Sequence, residues 1–312
     1  MSFEEDVAKA HALLQAQAEA EKQAEEHLPD PELATAVAQA LVAVRKENPL
    51  VGSITNAVTM DFVANAQLAI GGSAAMVYLG EEGQALAEVG NALYINMGTL
   101  LPLHEEAIPA AARIAHETNT PWVLDPVGIG IGGMRGRILL ELAACKPTII
   151  RGNASEIIAL ASLWAVPMTT GALEHSKRGL VRGVDSTDQV DDALVAACEL
   201  AQFTGGAVMV SGKQDAVCDA THIVRVFGGS ALMSKVTGFG CSLGGVAAVF
   251  AGVADPFVAA VAASCSYKKA GTRAATRSSG PGTFKAAFLD ALYTLDSAEI
   301  AERISSVDTL ER

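Results

Sequence analysis

From Pro49 onward, short aliphatic runs alternate with longer segments of helical composition, and this alternation limits the fold more than any single motif does. "LVGSIT", "SAAMVYL", "NALYINMG", "PWVLD", "PTIIRGN" and "GGAVMVSG" read as strands joined by helical crossovers, which is how a mostly parallel sheet is built. "DAVCDATHIVRVFGG" reads as two more short strands around a polar turn, and the last quarter reads as mainly helical. Half of the 312 residues are hydrophobic and only 5% are aromatic. Aliphatic strands of this kind are those covered by helices on both faces. No linker interrupts the pattern, so residues 49–312 are expected to form one α/β domain. Residues 1–48 are expected to form a helical N-terminal extension, with a helix over 4–27 by propensity and a second one begun by Asp30 as cap and Pro31 as first helical residue.

Several function classes are disfavoured at this point. A net charge of −13 argues against nucleic acid or an anionic membrane as partner. Cys145, Cys198, Cys218, Cys241 and Cys265 form no CxxC pair, which disfavours structural zinc and points to free thiols in a reducing, cytoplasmic setting. The acidic start "MSFEEDVAKA" lacks the features of a signal peptide. The longest apolar stretch, Leu243 to Tyr267, is broken by "ADP" and reads as two buried helices, since a membrane span needs roughly 20 apolar residues.

In open sheets of this class, ligands gather at the C-terminal ends of the strands. Polar residues do the same here: Thr55 and Asn56 follow "SI", Asn96 and Thr99 fall in "INMGT", Asp125 ends "VLD", and Arg151, Asn153 and Glu156 fall in "IIRGNASE". Each alone also fits a local cap or turn. Asp125 and Glu156 suggest magnesium, which takes few carboxylates and keeps water ligands. The Asn153–Glu156 spacing fits a capping box equally well. "GIGIGG" at Gly128–Gly133 matches a dinucleotide fingerprint, but the acidic residue expected further on is replaced by "IIRGN", leaving an NADP-type reading as a minor alternative. No GxxxxGK[ST] occurs.

The better phosphate site is "GFGC", Gly238 to Cys241, where a glycine turn opens a helix whose first N–H groups are free to hold an anion. Those N–H groups would lower the pKa of a thiol, so partial thiolate character is expected for Cys241; a small buried core residue is the plainer alternative.

With these residues assembled, the sequence resembles the hydroxyethylthiazole kinase family of thiamin salvage, within the ribokinase-like superfamily. The resemblance runs from about Pro49 to Leu295 and rests on seven blocks in order: "SITNAVTMDFVANAQLAIGGSAAM", "YINMGTL", "VLDPVGIG", "KPTIIRGNASEI", "GVDS", "KVTGFGC" and "GPGTFKAAFLDAL". It implies a ribokinase-like α/β fold and transfer of phosphate from ATP, with Mg2+, to the hydroxyl of 4-methyl-5-(2-hydroxyethyl)thiazole. It also implies a homotrimer with sites between subunits. By the same resemblance, Asn56, Val58, Met76 and Gly238 would contact the thiazole, while Arg151, Ser211 and Gly240 would contact ATP. Asp125 and Glu156 would hold magnesium through water. Cys241 stands where related sugar kinases place an aspartate base, and so would accept a proton or position the substrate hydroxyl. Two features depart from the family pattern. Phe239 replaces a small residue between the glycines, where a bulky ring beside the substrate would narrow or reshape the pocket, and the N-terminal extension is long. The alternatives are a kinase of another small alcohol such as hydroxymethylpyrimidine, an ATP-using dehydratase, or a non-catalytic nucleotide-binding relative.

Overall fold

In the computed structural model, which describes residues 30–166 and 190–309, every aliphatic run read as a strand contributes one. They are β1 (Leu50–Ile54), β2 (Ser73–Met76), β3 (Ala92–Asn96), β4 (Trp122–Asp125), β5 (Ile149–Asn153), β6 (Ala207–Ser211), β7 (Asp215–Cys218) and β8 (His222–Val226). A ninth, β9 (Ile304–Thr309), was not expected in the helical last quarter. Its sequence "ISSVDT" has only two large apolar residues because it lies at a sheet edge, where pairing to β8 supplies the order that hydrophobicity does not. The expected helix over 4–27 and the "GVDS" block lie outside the described residues.

The nine strands form one sheet in the order β2-β1-β3-β4-β5-β6-β7-β8-β9. From β2 through β6 the pairs are parallel, and from β6 to β9 antiparallel. The chain leaves β1 toward one edge and returns past it to β3, so the strand order reverses between β1 and β3. Such a reversal opens a crevice at the carboxyl ends of the two strands.

Successive strand residues face opposite sides, and each side has its own core. Val51, Tyr94, Val123, Ile149 and Met209 pack with α1 (Pro31–Glu47), α2 (Met60–Ile70), α8 (Phe239–Ala251), α9 (Pro256–Thr276) and α10 (Pro281–Tyr293). Ile54, Leu93, Ile95, Leu124, Ile150 and Val208 pack on the other side with α3 (Gly80–Val89), α4 (His104–Thr118), α5 (Gly133–Leu142), α6 (Ala154–Leu163) and α7 (Leu194–Thr204). Residues 243–267 do form two helices, α8 and α9, and both are largely buried. Asp30 caps α1 through Oδ1, which accepts from the Glu32 N–H at 2.8 Å, with Pro31 as first helical residue. Although α1 falls within the expected N-terminal extension, its Val37, Leu41 and Val44 are fully buried in the sheet core.

Candidate active site

The polar strand ends meet at the carboxyl edge of the sheet. Asn56 follows β1 and Asn96 ends β3, and across the β1–β3 crevice Asn56 Nδ2 donates to Asn96 Oδ1 at 3.0 Å. The same amide lies 3.3 Å from Cys241 Sγ. Asn56 Oδ1 accepts from the Thr59 N–H at 3.1 Å, so the side chain that orients the thiol is itself fixed at its other end. Thr99, with φ at +42°, ties the two strand ends again by accepting from the Ala57 N–H at 3.1 Å.

One strand further, Asp125 ends β4 with no exposed surface. Its Oδ2 accepts from Asn96 Nδ2 at 3.0 Å and lies 3.1 Å from the Tyr94 hydroxyl. Arg151 on β5 reaches across, with Nη1 at 3.5 and 3.4 Å from the two carboxylate oxygens, and its Nε donates to Ser211 Oγ at the end of β6 at 3.1 Å. Burial pushes the Asp125 carboxyl up to about 6, Glu156 adds repulsion, and Arg151 and the Tyr94 hydroxyl pull against both. Burial also works against the charge on Arg151, but the Asp125 and Glu156 carboxylates outweigh it and hold the guanidinium above its usual value.

Glu156 shows that the two readings of the Asn153–Glu156 spacing are compatible. The capping box forms: Asn153 Oδ1 accepts from the Glu156 N–H at 2.9 Å, and Glu156 Oε2 accepts from the Asn153 N–H at 3.0 Å. Glu156 Oε1 accepts from the Gly128 N–H at 3.1 Å, so the carboxylate also pins the loop after β4. Each oxygen keeps a further lone pair for a water. Arg135 holds that loop from the other side, donating from Nε to the Met97 carbonyl at 2.9 Å and from Nη1 to the Ile131 carbonyl.

The opening of α8 covers these groups. Gly238 has φ at +93°, and a Cβ there would lie 2.8 Å from Thr59 Cγ2. A Cβ at Gly240 would lie 2.5 Å from both terminal nitrogens of Arg151. The glycine therefore lets the first turn of the helix rest directly on the guanidinium, bringing the helix opening and a buried positive charge together.

Two expectations need adjustment. The surroundings of Cys241 work against a thiolate: burial pushes its thiol up, Asp125 adds to this, and Arg151, Thr59 and Asn96 only partly offset them. Desolvation is the largest of these effects because the residue is only 9% exposed. Phe239 does not narrow the pocket, since its ring packs among Phe62, Phe288 and Phe284, with centroids 4.9, 4.7 and 5.5 Å away. Val58 is 65% exposed in the single chain, outside the buried group formed by Asn56, Asp125, Arg151, Glu156 and Cys241. Met76 ends β2 in register with Ser53 and is partly buried against the core. Two residues of this network, Tyr94 and Arg135, were not singled out in the sequence. Tyr94 is the one hydroxyl in the buried run "ALYIN", a faint signal, whereas nothing local marked Arg135.

The arrangement combines two buried carboxylates, an arginine at a glycine-opened helix start, and a neutral thiol beside a crevice. Such a site can grip a polyphosphate and present a small alcohol to it. Residues 41–298 match the model of the hydroxyethylthiazole kinase family. A hydroxyethylthiazole kinase from Bifidobacterium adolescentis is 47% identical over 276 residues, covering 86% of this chain and 93% of the relative. One from Cereibacter sphaeroides is 46% identical over 263 residues, covering 84% and 95%. Among solved structures, the hydroxyethylthiazole kinase protein from Pyrococcus horikoshii OT3 superposes with a TM-score of 0.74 at 30% identity, covering 88% of this chain and 99% of that one. The pyridoxal kinase from Staphylococcus aureus in complex with ADP shares the fold, with a TM-score of 0.50 at 15% identity over 72% of this chain and 88% of its own.

Proposed function

The chain belongs to the hydroxyethylthiazole kinase family and is a phosphotransferase, and from that premise we propose that the cradle at the sheet edge transfers the γ-phosphoryl group of ATP to the hydroxyl of 4-methyl-5-(2-hydroxyethyl)thiazole. The observation that carries the reading is the seat of α8 on Arg151, where the close approach at Gly240 brings a guanidinium against the opening turn of the helix. An anion held there has Ser211 and Asp125 beside it. Arg151, Ser211 and Gly240 bind the phosphates in this account.

The donor set also fits a hard divalent cation such as Mg2+. Asp125 and Glu156 are buried oxygen donors near enough for Glu156 to help raise the Asp125 carboxyl, a repulsion that a cation between them would relieve. Asp125 and Glu156 would hold the ion through water, where it would neutralise charge on the phosphate oxygens.

Asn56, Gly238 and Met76 line the alcohol side in this reading, with Val58. Cys241 acts as a positioning group: Asn56 fixes its sulfur, and the sulfur accepts from the substrate hydroxyl. As the hydroxyl oxygen bonds to the γ-phosphorus, the bond to the β,γ-bridging oxygen breaks and ADP leaves. Through a loose transition state the hydroxyl proton departs late, to a phosphoryl oxygen or to water once the new bond has made it acidic, so a neutral thiol that only orients the hydroxyl suffices. The large exposure of Val58 supports a site completed by a neighbouring subunit, as in a homotrimer. The five free cysteines support a reducing cytoplasmic setting. No described helix is long and apolar enough to cross a membrane.

The test is ADP release measured with and without the thiazole alcohol, with hydroxymethylpyrimidine as a parallel substrate. Release strictly dependent on the thiazole supports the proposal. Binding of nucleotide without turnover on either alcohol would replace it with a non-catalytic role.

A further inference from the structure

Tyr94 lies at the centre of the site without facing the crevice. It is fully buried on β3, and its hydroxyl accepts from Asn96 Nδ2 at 2.9 Å. The same hydroxyl donates to the backbone carbonyl of Cys241 at 2.7 Å and stands 3.1 Å from Asp125 Oδ2. One oxygen therefore touches the first turn of α8, the end of β4 and the amide that bridges β1 to β3. The helix is shaped for this contact, because a Cβ at Gly244 would come within 2.7 Å of the Tyr94 ring and 3.0 Å of its hydroxyl. A phenylalanine would fill the same space, so packing alone does not call for the oxygen.

We propose that Tyr94 is a positioning residue for phosphoryl transfer, whose hydroxyl fixes the first turn of α8, and with it the Cys241 sulfur, relative to Asp125 on the sheet. This rests on the phosphoryl-transfer reading of the site. Cys241 is held on two sides: Asn56 reaches its sulfur from β1, and Tyr94 holds its carbonyl from β3. Alignment is most of what such a transfer asks of the protein, so a small displacement of the thiol acts on the rate of the chemical step more than on binding.

The experiment is a double-mutant cycle on the purified full-length chain, built from Tyr94→Phe and Cys241→Ala and read as kcat and both KM values together with thermal midpoints. Tyr94→Phe is expected to lower kcat on the order of 10-fold, the scale of one buried hydrogen bond. Both KM values should stay within about twofold, because the interaction is made through alignment in the transition state. In the Cys241→Ala background the same substitution should cost less than about twofold, since its effect passes through the thiol. Gly244→Ala supplies an independent perturbation that keeps the hydroxyl while forcing the ring off α8, and it too should lower kcat with KM held. An equal loss in both backgrounds, an unchanged kcat in Tyr94→Phe, or a change confined to the KM for ATP would overturn the inference while leaving the kinase reading in place. A fully active Cys241→Ala protein would remove the role proposed for Cys241 and this inference with it.

Discussion

Asp125→Asn should make the protein more stable at neutral pH while removing its activity. The Asp125 carboxyl is fully buried, and its pKa rises from 3.8 to about 6 on folding. At about 1.36 kcal/mol per pKa unit, ionising it inside the folded protein costs about 3 kcal/mol relative to the unfolded chain. The sign follows from proton counting. Between pH 3.8 and about 6 the folded state binds more protons at this group than the unfolded state does, so stability from this group falls as pH rises through that window. Asparagine resembles the neutral carboxyl and has no proton to lose. The variant should therefore match the wild type near pH 4 and gain on it up to about pH 6. Above that it should hold a constant advantage of at most about 3 kcal/mol, reduced by any hydrogen bond the amide makes less well. Denaturant unfolding from pH 4 to 8, without nucleotide or divalent cation, measures this. A variant less stable than the wild type at pH 8, or a difference that does not change with pH, would refute the reasoning. The wild type accepts this cost in our account because the charge is needed when phosphate and cation arrive.

Two further outcomes follow from the same geometry. Arg151→Ala should raise the KM for ATP well beyond that for the thiazole, by on the order of 1.5 to 3 kcal/mol, the worth of hydrogen bonds to a charged group; steady-state kinetics in both substrates decides it, and equal effects on both KM values would make Arg151 a structural partner of Asp125 only. Glu156→Gln should weaken turnover and raise the divalent cation concentration it needs, and excess chelator should abolish wild-type turnover; a cation titration of ADP release reads both, and full activity in chelator or a fully active Glu156→Gln protein would remove the metal role.

The strands and the crossover pattern were legible because each buried strand is a nearly continuous aliphatic run, and the site was legible because polar residues interrupt those runs only at one end. What the sequence did not carry was relative position. Edge strand β9 has little apolar content of its own. The side on which Phe239 packs depends on Phe62, Phe284 and Phe288, which are distant in the chain. The protonation of Cys241 turns on a contest between a helix start and burial, and burial is a property of the whole fold. Tyr94 reads as one more core aromatic until its hydroxyl is seen between β4 and α8.

The central claim is that Cys241 positions the substrate hydroxyl in a direct transfer from ATP, and it is tested most directly by following γ-labelled ATP in wild-type, Cys241→Asp and Cys241→Ala proteins with the thiazole alcohol. The wild type should place label on the thiazole in step with ADP release and keep none on the protein. Cys241→Asp should retain substantial turnover, because a carboxylate at that point still accepts from the substrate hydroxyl, with Arg151 and the helix opening partly offsetting burial and the repulsion from Asp125. Cys241→Ala should lose roughly 10- to 10⁴-fold, on the scale of a positioned acid–base group and below. Label retained on the wild-type protein, or an Ala variant as active as the wild type beside an unfolded Asp variant, would contradict the account.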